Sequence, residues 1–162
     1  MGGHHSAKSG KDEWLTPPEL LLTLGTFDLD PCASVSRPWP TASRHYTIRD
    51  DGLSQPWEGR VFCNPPYGRQ TGVWLSRCAD HGNATALIFA RTETSDWQKQ
   101  VWAKAHSILF LYGRLYFHHA DGTRAAANSG APSALVAYDN QNTDFLIQSG
   151  LAGKLVLLSK TL

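Results

Sequence analysis

The chain of 162 residues lacks most of the features that mark specialised protein classes. Its three cysteines, Cys32, Cys63 and Cys78, are odd in number and widely spaced. They form neither a disulfide framework nor a zinc pattern, so no metal site is expected and a reducing cytoplasm is the simplest setting. No apolar run approaches the roughly 20 residues of a membrane-spanning helix, and no secretory signal opens the chain, which argues against a membrane partner. There is no charge excess: 15 Lys and Arg stand against 14 Asp and Glu, for a net charge of +1. A nucleic-acid partner would therefore have to be held by a local patch rather than by the field of the whole molecule. Neither a G-x-G-x-x-G string nor a P-loop is present, which favours a nucleoside cofactor without phosphates over NAD or ATP. Repeats and linkers are missing too, so residues 12–162 read as one domain. Residues 1–11, rich in Gly, Ser and His, read as a disordered tail or an expression remnant, with His4 and His5 belonging to the tail rather than to a metal site.

What is there is a globular composition, 41% hydrophobic and 18% charged, long enough to bury a core that should take most of the six tryptophans. Thr16-Pro17-Pro18-Glu19 predicts a helix start with Thr16 as cap and Glu19 completing a capping box, and Gly25 predicts its end. Phe27 to Asp30 alternates apolar and acidic and predicts a strand ending at Pro31, followed by an irregular stretch from Ala33 to Arg49. Further strands are predicted over Arg60 to Cys63, Ala84 to Ala90, Ile108 to Tyr112, Leu115 to Phe117, Ala134 to Tyr138 and Leu155 to Leu158. Helices are predicted over Thr71 to His81, after a Ser95 cap with a Trp97, Val101, Trp102, Ala105 stripe, and around Thr143 to Gln148. Ala120-Asp121-Gly122-Thr123 signals a hairpin or loop. Strands alternating with helices imply an α/β fold with a mainly parallel sheet and an antiparallel C-terminal part.

The most informative segment is Asn64-Pro65-Pro66-Tyr67, which directly follows the apolar run Val61-Phe62-Cys63. Two prolines hold φ near about −65° and remove two backbone donors, so the loop is stiff and presents carbonyl acceptors. The Asn64 amide oxygen can accept a hydrogen bond from an exocyclic amino group, and Tyr67 offers a flat ring for an extruded base. The same residues also punctuate ordinary turns.

Ligands of open α/β sheets bind beyond the carboxyl ends of the strands. A second strand end carries Asp30-Pro31-Cys32-Ala33-Ser34, where Asp30 could accept from a ligand ammonium and the small residues allow close approach. Twenty residues further on, Asp50 and Asp51 stand where dinucleotide folds put a ribose-binding acid. Both remain candidates for that role.

Taken in order, Asp12-Glu13-Trp14-Leu15-Thr16-Pro17, Leu29-Asp30-Pro31-Cys32-Ala33-Ser34, Asp51-Gly52-Leu53 with Trp57, Val61 to Gly68, Ala90-Arg91-Thr92 and Gly113-Arg114-Leu115-Tyr116-Phe117 resemble the small phage-type DNA N6-adenine methyltransferases. The resemblance covers roughly Asp12 to Tyr138. It implies a Rossmann-like, S-adenosylmethionine-dependent methyltransferase fold, reduced in size, acting on adenine in DNA in a bacterial or phage-infected cytoplasm, as monomer or homodimer. By the same resemblance Trp14, Thr16, Pro17, Asp30, Pro31, Cys32, Ala33 and Asp51 line the cofactor side, and Asn64, Pro65, Pro66 and Tyr67 form the catalytic loop. The chain departs from the usual Gly-rich loop after the first strand, which is replaced by Pro31-Cys32-Ala33-Ser34. Ser34 to Arg49 is also too short for a full second helix and strand.

The chemistry expected of that loop is orientation. Asn64 and the Pro65 carbonyl accept hydrogen bonds from the amino group and localise its lone pair, and Asn64 does not act as a base. Tyr67 stacks on the flipped base, with Phe117 on the other face unless it is core, and Arg69, Arg91, Arg114 and Arg124 are candidate phosphate contacts. Asn-Pro-Pro-Tyr loops also occur in enzymes that methylate rRNA guanine or protein glutamine, and a catalytically silent nucleic-acid-binding relative is the remaining alternative.

Overall fold

A computed structural model describes residues 13–158, so the expected N-terminal tail and Asp12 lie outside the described residues. Seven strands form one sheet: β1 (Leu29–Asp30), β2 (Arg44–His45), β3 (Val61–Cys63), β4 (Ala84–Phe89), β5 (Ser107–Leu111), β6 (Ser133–Ala137) and β7 (Gly153–Leu157). Their spatial order is β2-β1-β3-β4-β6-β5-β7. The pairings β1 with β2, β1 with β3 and β3 with β4 are parallel. Those of β4 with β6, β5 with β6 and β5 with β7 are antiparallel. The sheet is thus half parallel by pairing rather than mainly so. The reason is that β6 returns beside β4 from an excursion over residues 112–132, and antiparallel neighbours need no helical crossover.

Alternation along the strands fills both faces. Val61 and Cys63 of β3, Ala84, Ala86 and Ile88 of β4, and Ala134 and Val136 of β6 face one apolar cluster. Helix α2 (Thr71–His81) closes that cluster with Trp74, Leu75 and Cys78, and a wide π-helical turn (Trp97–Trp102) adds Trp97 and Val101. Phe62, Leu87, Leu135 and Ala137 point the other way, against Leu20 and Leu21 of α1 (Pro18–Thr23), Leu24 just after it, and Leu146 of α3 (Asn140–Gln148). Burial on both faces is what β3, β4 and β6 require as almost wholly apolar strands.

Several local expectations change. Thr16 does not cap α1: Pro17 takes the cap position with no side-chain bond, and the Thr16 hydroxyl is committed elsewhere. Gly25 does terminate the helix at φ +80, where an added Cβ would come within 2.6 Å of the Phe145 ring. The stretch from Ala33 to Arg49 holds the two-residue edge strand β2, too short to leave a pattern. Thr94, not Ser95, offers its hydroxyl to the Trp97 N–H at the start of the π-helical turn. Leu115 to Phe117 is no strand; pairing there is limited to His118, bridged to Leu15 and to Arg124. The Ala120 to Thr123 signal is a tight hairpin, closed by Ala125 N–H to the Phe117 carbonyl and His119 N–H to the Thr123 carbonyl.

The amino-terminal end of β3 is locked by a buried arginine. Arg60 donates to Asn142 Oδ1 and to the Leu24 and Thr26 carbonyls, and its guanidinium lies between the rings of Phe27 and Phe145. Burial pushes its pKa down to about 10, partly offset by Asp139 and Asp28. This cluster is at the end of the sheet opposite the strand ends considered next.

Candidate functional site

From β1 the chain steps to β2 on one side and then to β3 on the other, so the sheet changes direction between β1 and β3. That switch point is where an open α/β sheet forms a crevice beyond its carboxyl ends. The segments that flank this point are Asp30 to Ser34 after β1 and Asn64 to Tyr67 after β3.

On the β1 side Asp30 is 3% exposed. One oxygen accepts from the Cys32 N–H at 3.0 Å and the other from the Thr41 hydroxyl. Burial raises its pKa to about 6, against the lowering effect of Thr41, the Cys32 N–H and Arg37. Asp30 therefore shapes the turn that follows it, and both carboxylate oxygens have donors within the chain. Pro31 is buried, and Cys32 and Ala33 are half-buried. Gly52 packs directly on the Pro31 carbonyl, so closely that a Cβ would overlap the oxygen. This contact brings the neighbouring Asp51 to the β1 end. Asp51 is exposed and has φ 54, the one positive φ outside glycine among the described residues. The two adjacent acids differ: Asp50 is taken up by the Thr47 N–H and hydroxyl, whereas Asp51 closes its turn through its backbone carbonyl.

On the β3 side Asn64 donates from Nδ2 to Thr16 Oγ1 at 3.1 Å. Among the described residues no donor reaches Asn64 Oδ1 or the Pro65 carbonyl, while the Pro66 carbonyl is held by the Thr71 hydroxyl at 2.7 Å. Tyr67 lies flat on Phe89, at the end of β4, with ring centroids 4.2 Å apart and planes 1° from parallel. One face of Tyr67 is thus covered by a residue that the sequence did not single out. Beside this stack is a cavity of about 260 Å³ whose wall includes Trp14, Tyr67, Phe89, Phe117 and Asn128. It is smaller than the roughly 300 Å³ at which pockets for drug-sized ligands begin, and suits a flat, nucleobase-sized group. Phe117 is both cavity wall and buried. Trp14 is half exposed, tilted against His119, and on this acceptor side. A shallower groove of about 420 Å³ between β5 and β7 is at the far edge of the sheet, away from both strand ends.

The segment Glu13 to Pro17 crosses between the two halves. Ser34 hydrogen-bonds to the Glu13 carboxylate, Leu15 exchanges both backbone bonds with His118, and Thr16 meets Asn64. Glu13 was not singled out from sequence, because nothing local shows that it reaches a loop twenty-one residues away. Arg69, Arg91, Arg114 and Arg124 are all exposed, each on a segment beyond the same ends of the strands. Arg91 stands 6.0 Å from the Phe89 ring and Arg124 lies 4.1 Å over Tyr116.

A partly parallel seven-stranded α/β sheet with polar strand ends meeting at its switch point fits the methyltransferase-like class. A family model described as DNA N-6-adenine-methyltransferase (Dam) matches residues 3–153, and the chain belongs to that family. Searches of curated proteins and of solved structures returned no match. Among the described residues no helix is long and apolar enough to cross a membrane.

Proposed function

We propose that the protein transfers a methyl group from S-adenosylmethionine to N6 of adenine in DNA, with the target base flipped into the aromatic cavity. The observation that carries this reading is the state of Asn64. Its amide nitrogen is engaged by Thr16, which leaves Oδ1 as an acceptor at the start of the loop whose Tyr67 walls the base-sized cavity. Family membership supplies the substrate class.

The β1 side fits the cofactor in donor chemistry. A positively charged amino acid carrying a nucleoside, with no phosphate to be cradled, suits a crevice that offers the carboxylates of Glu13 and Asp51, the small residues Cys32 and Ala33, and a backbone opened by Gly52. Pro31, Cys32 and Ala33 would form its wall, with Asp30 holding their turn, Asp51 would take the ribose, and Trp14, Thr16 and Pro17 would line the boundary across which the methyl group passes to the base. When bound, the cofactor supplies an electrophilic methyl group.

The residues of the chain then prepare the amine. The N6 lone pair is delocalised into the adenine ring. Acceptance of its two N–H bonds by Asn64 Oδ1 and the Pro65 carbonyl draws the nitrogen toward tetrahedral geometry and fixes its direction, so the chain contributes orientation and exclusion of water. Asn64 takes no proton, because an amide is not basic near neutrality; the proton leaves to water after transfer. Tyr67, backed by Phe89, and Phe117 hold the base plane. The exposed Arg69, Arg91, Arg114 and Arg124 would meet backbone phosphates, which makes binding salt-sensitive.

Incubation with methyl-labelled S-adenosylmethionine and DNA, RNA or protein, followed by nucleoside and amino-acid analysis, tests the proposal. Label in N6-methyladenine of DNA, lost by orders of magnitude in Asn64→Ala, is the expected result. Label in RNA or in glutamine, or cofactor binding without any transfer, would refute it in favour of a relative with another substrate or a silent binding protein. Sequencing modified DNA from expressing cells then identifies the target site.

A further inference from the structure

We propose that Thr16 is a positioning residue for the acceptor site, one that holds the Asn64 carboxamide in one place facing the target amine. This rests on the acceptor role of Asn64 proposed above. A primary amide offers an oxygen on one side and an NH2 group on the other, and rotation by half a turn exchanges them. Only the oxygen is useful toward an amine whose N–H bonds must be accepted, since the NH2 end would set donor against donor. The local sequence Asn64-Pro65-Pro66 contains nothing that holds the carboxamide plane in place. Thr16 Oγ1, 3.1 Å from Nδ2, anchors the nitrogen side of the carboxamide and leaves the oxygen on the side away from it.

The contact is held from both ends by backbone restriction. Thr16 precedes Pro17-Pro18 and Asn64 precedes Pro65-Pro66, and a residue before proline is kept out of the helical region. The two restricted residues thus face each other, one from the segment entering α1 and one from the end of β3. Pro17 is extended at φ −55 and ψ 129. Leu15, on the other side of Thr16, is fixed by two backbone bonds to His118, at 2.7 and 3.0 Å. Thr16 is 3% exposed, and its β-branched side chain has few rotamers. A hydroxyl held so firmly gives Asn64 a defined orientation before substrate arrives, which is what preorganised catalysis needs.

The experiment compares Thr16→Val, of nearly the same shape, with Thr16→Ser, which keeps the hydroxyl. Thr16→Val is expected to lower kcat for DNA methylation about tenfold to a hundredfold, the range in which small misplacements act. Any loss of affinity for S-adenosylhomocysteine by calorimetry should be smaller than the loss in kcat, and Thr16→Ser should recover most of kcat. Combining Thr16→Val with Asn64→Ala should cost little beyond Asn64→Ala alone, because the two residues act through one group. Wild-type kcat in Thr16→Val, or full additivity in the double variant, would overturn the inference. If the wild-type protein transferred no methyl group at all, the proposed function would fail, and the inference would be decided by NMR of the Asn64 side-chain amide. Slow proton exchange that becomes fast in Thr16→Val supports the contact, and equal exchange refutes it.

Discussion

Replacing Asp30 by Asn should make the protein less sensitive to pH, with a sign opposite to that of most acidic residues. Asp30 is almost fully buried, and burial raises its pKa from 3.8 to about 6. Because the folded state holds this proton more tightly than the unfolded chain, the stabilising contribution is fully present below 3.8 and is lost as pH rises through about 6. At about 1.36 kcal/mol per unit, the loss across that window is about 3 kcal/mol. An asparagine can keep both contacts, accepting from the Cys32 N–H through Oδ1 and donating to Thr41 Oγ1 through Nδ2, without any charge to desolvate. Urea unfolding of both proteins at several pH values between about 4 and 8 measures the effect as a difference. His45, whose burial lowers its pKa, titrates in both proteins and drops out of that difference. Wild type should lose stability relative to Asp30→Asn as pH rises, by a few kcal/mol in all. A flat difference, or one of the opposite sign, would refute the account of Asp30 as a desolvated carboxylate. Cofactor affinity separates the role of charge from that of shape. Asp30→Asn should bind S-adenosylhomocysteine nearly as wild type does, whereas Asp30→Ala, losing both anchors of the turn, should bind more weakly in calorimetry.

Other perturbations have equally definite outcomes. Gly52→Ala places a methyl group against the Pro31 carbonyl and should cost about 1–3 kcal/mol as overpacking while weakening cofactor binding; an unchanged melting temperature would contradict the contact. Phe89→Leu removes the ring beneath Tyr67, a pair worth about 0.5–1.5 kcal/mol, and should raise KM for DNA more than KM for cofactor in steady-state assays. Arg60→Met strands the Leu24 and Thr26 carbonyls, while Asn142 Oδ1 keeps its bond from Thr85, and should cost about 1–3 kcal/mol per stranded carbonyl in urea while activity per folded molecule is kept. Arg91→Ala should lower the slope of log affinity for DNA against log salt by about one, and an unchanged slope would remove Arg91 from the phosphate contacts.

Much of this architecture was legible because its cause is local. Helix α2 runs over Thr71–His81 as predicted, since its apolar spacing and the left-handed Gly82 that ends it are both written in consecutive residues. Strand β3 and the loop after it were legible for the same reason. What escaped depends on partners distant in sequence. A two-residue strand such as β2 exists only because β1 lies beside it, and β6 is antiparallel to β4 because of where an excursion returns. The Tyr67 stack needs Phe89, twenty-two residues away, and the Glu13 contact needs Ser34.

Thr16 shows how a local reading can mislead. A threonine before Pro-Pro-Glu has the pattern of a capping box, and local energetics alone favour that use. The folded chain instead directs the hydroxyl to a residue forty-eight positions away, where it satisfies a half-buried amide nitrogen. Leaving such a polar group without a partner costs about 1–3 kcal/mol, whereas a helix that opens with two prolines already lacks donors in its first turn and has less need of a cap. The same accounting explains why Asn64 is to be read together with Thr16: the loop supplies an amide, and the segment before α1 supplies the hydroxyl that anchors it.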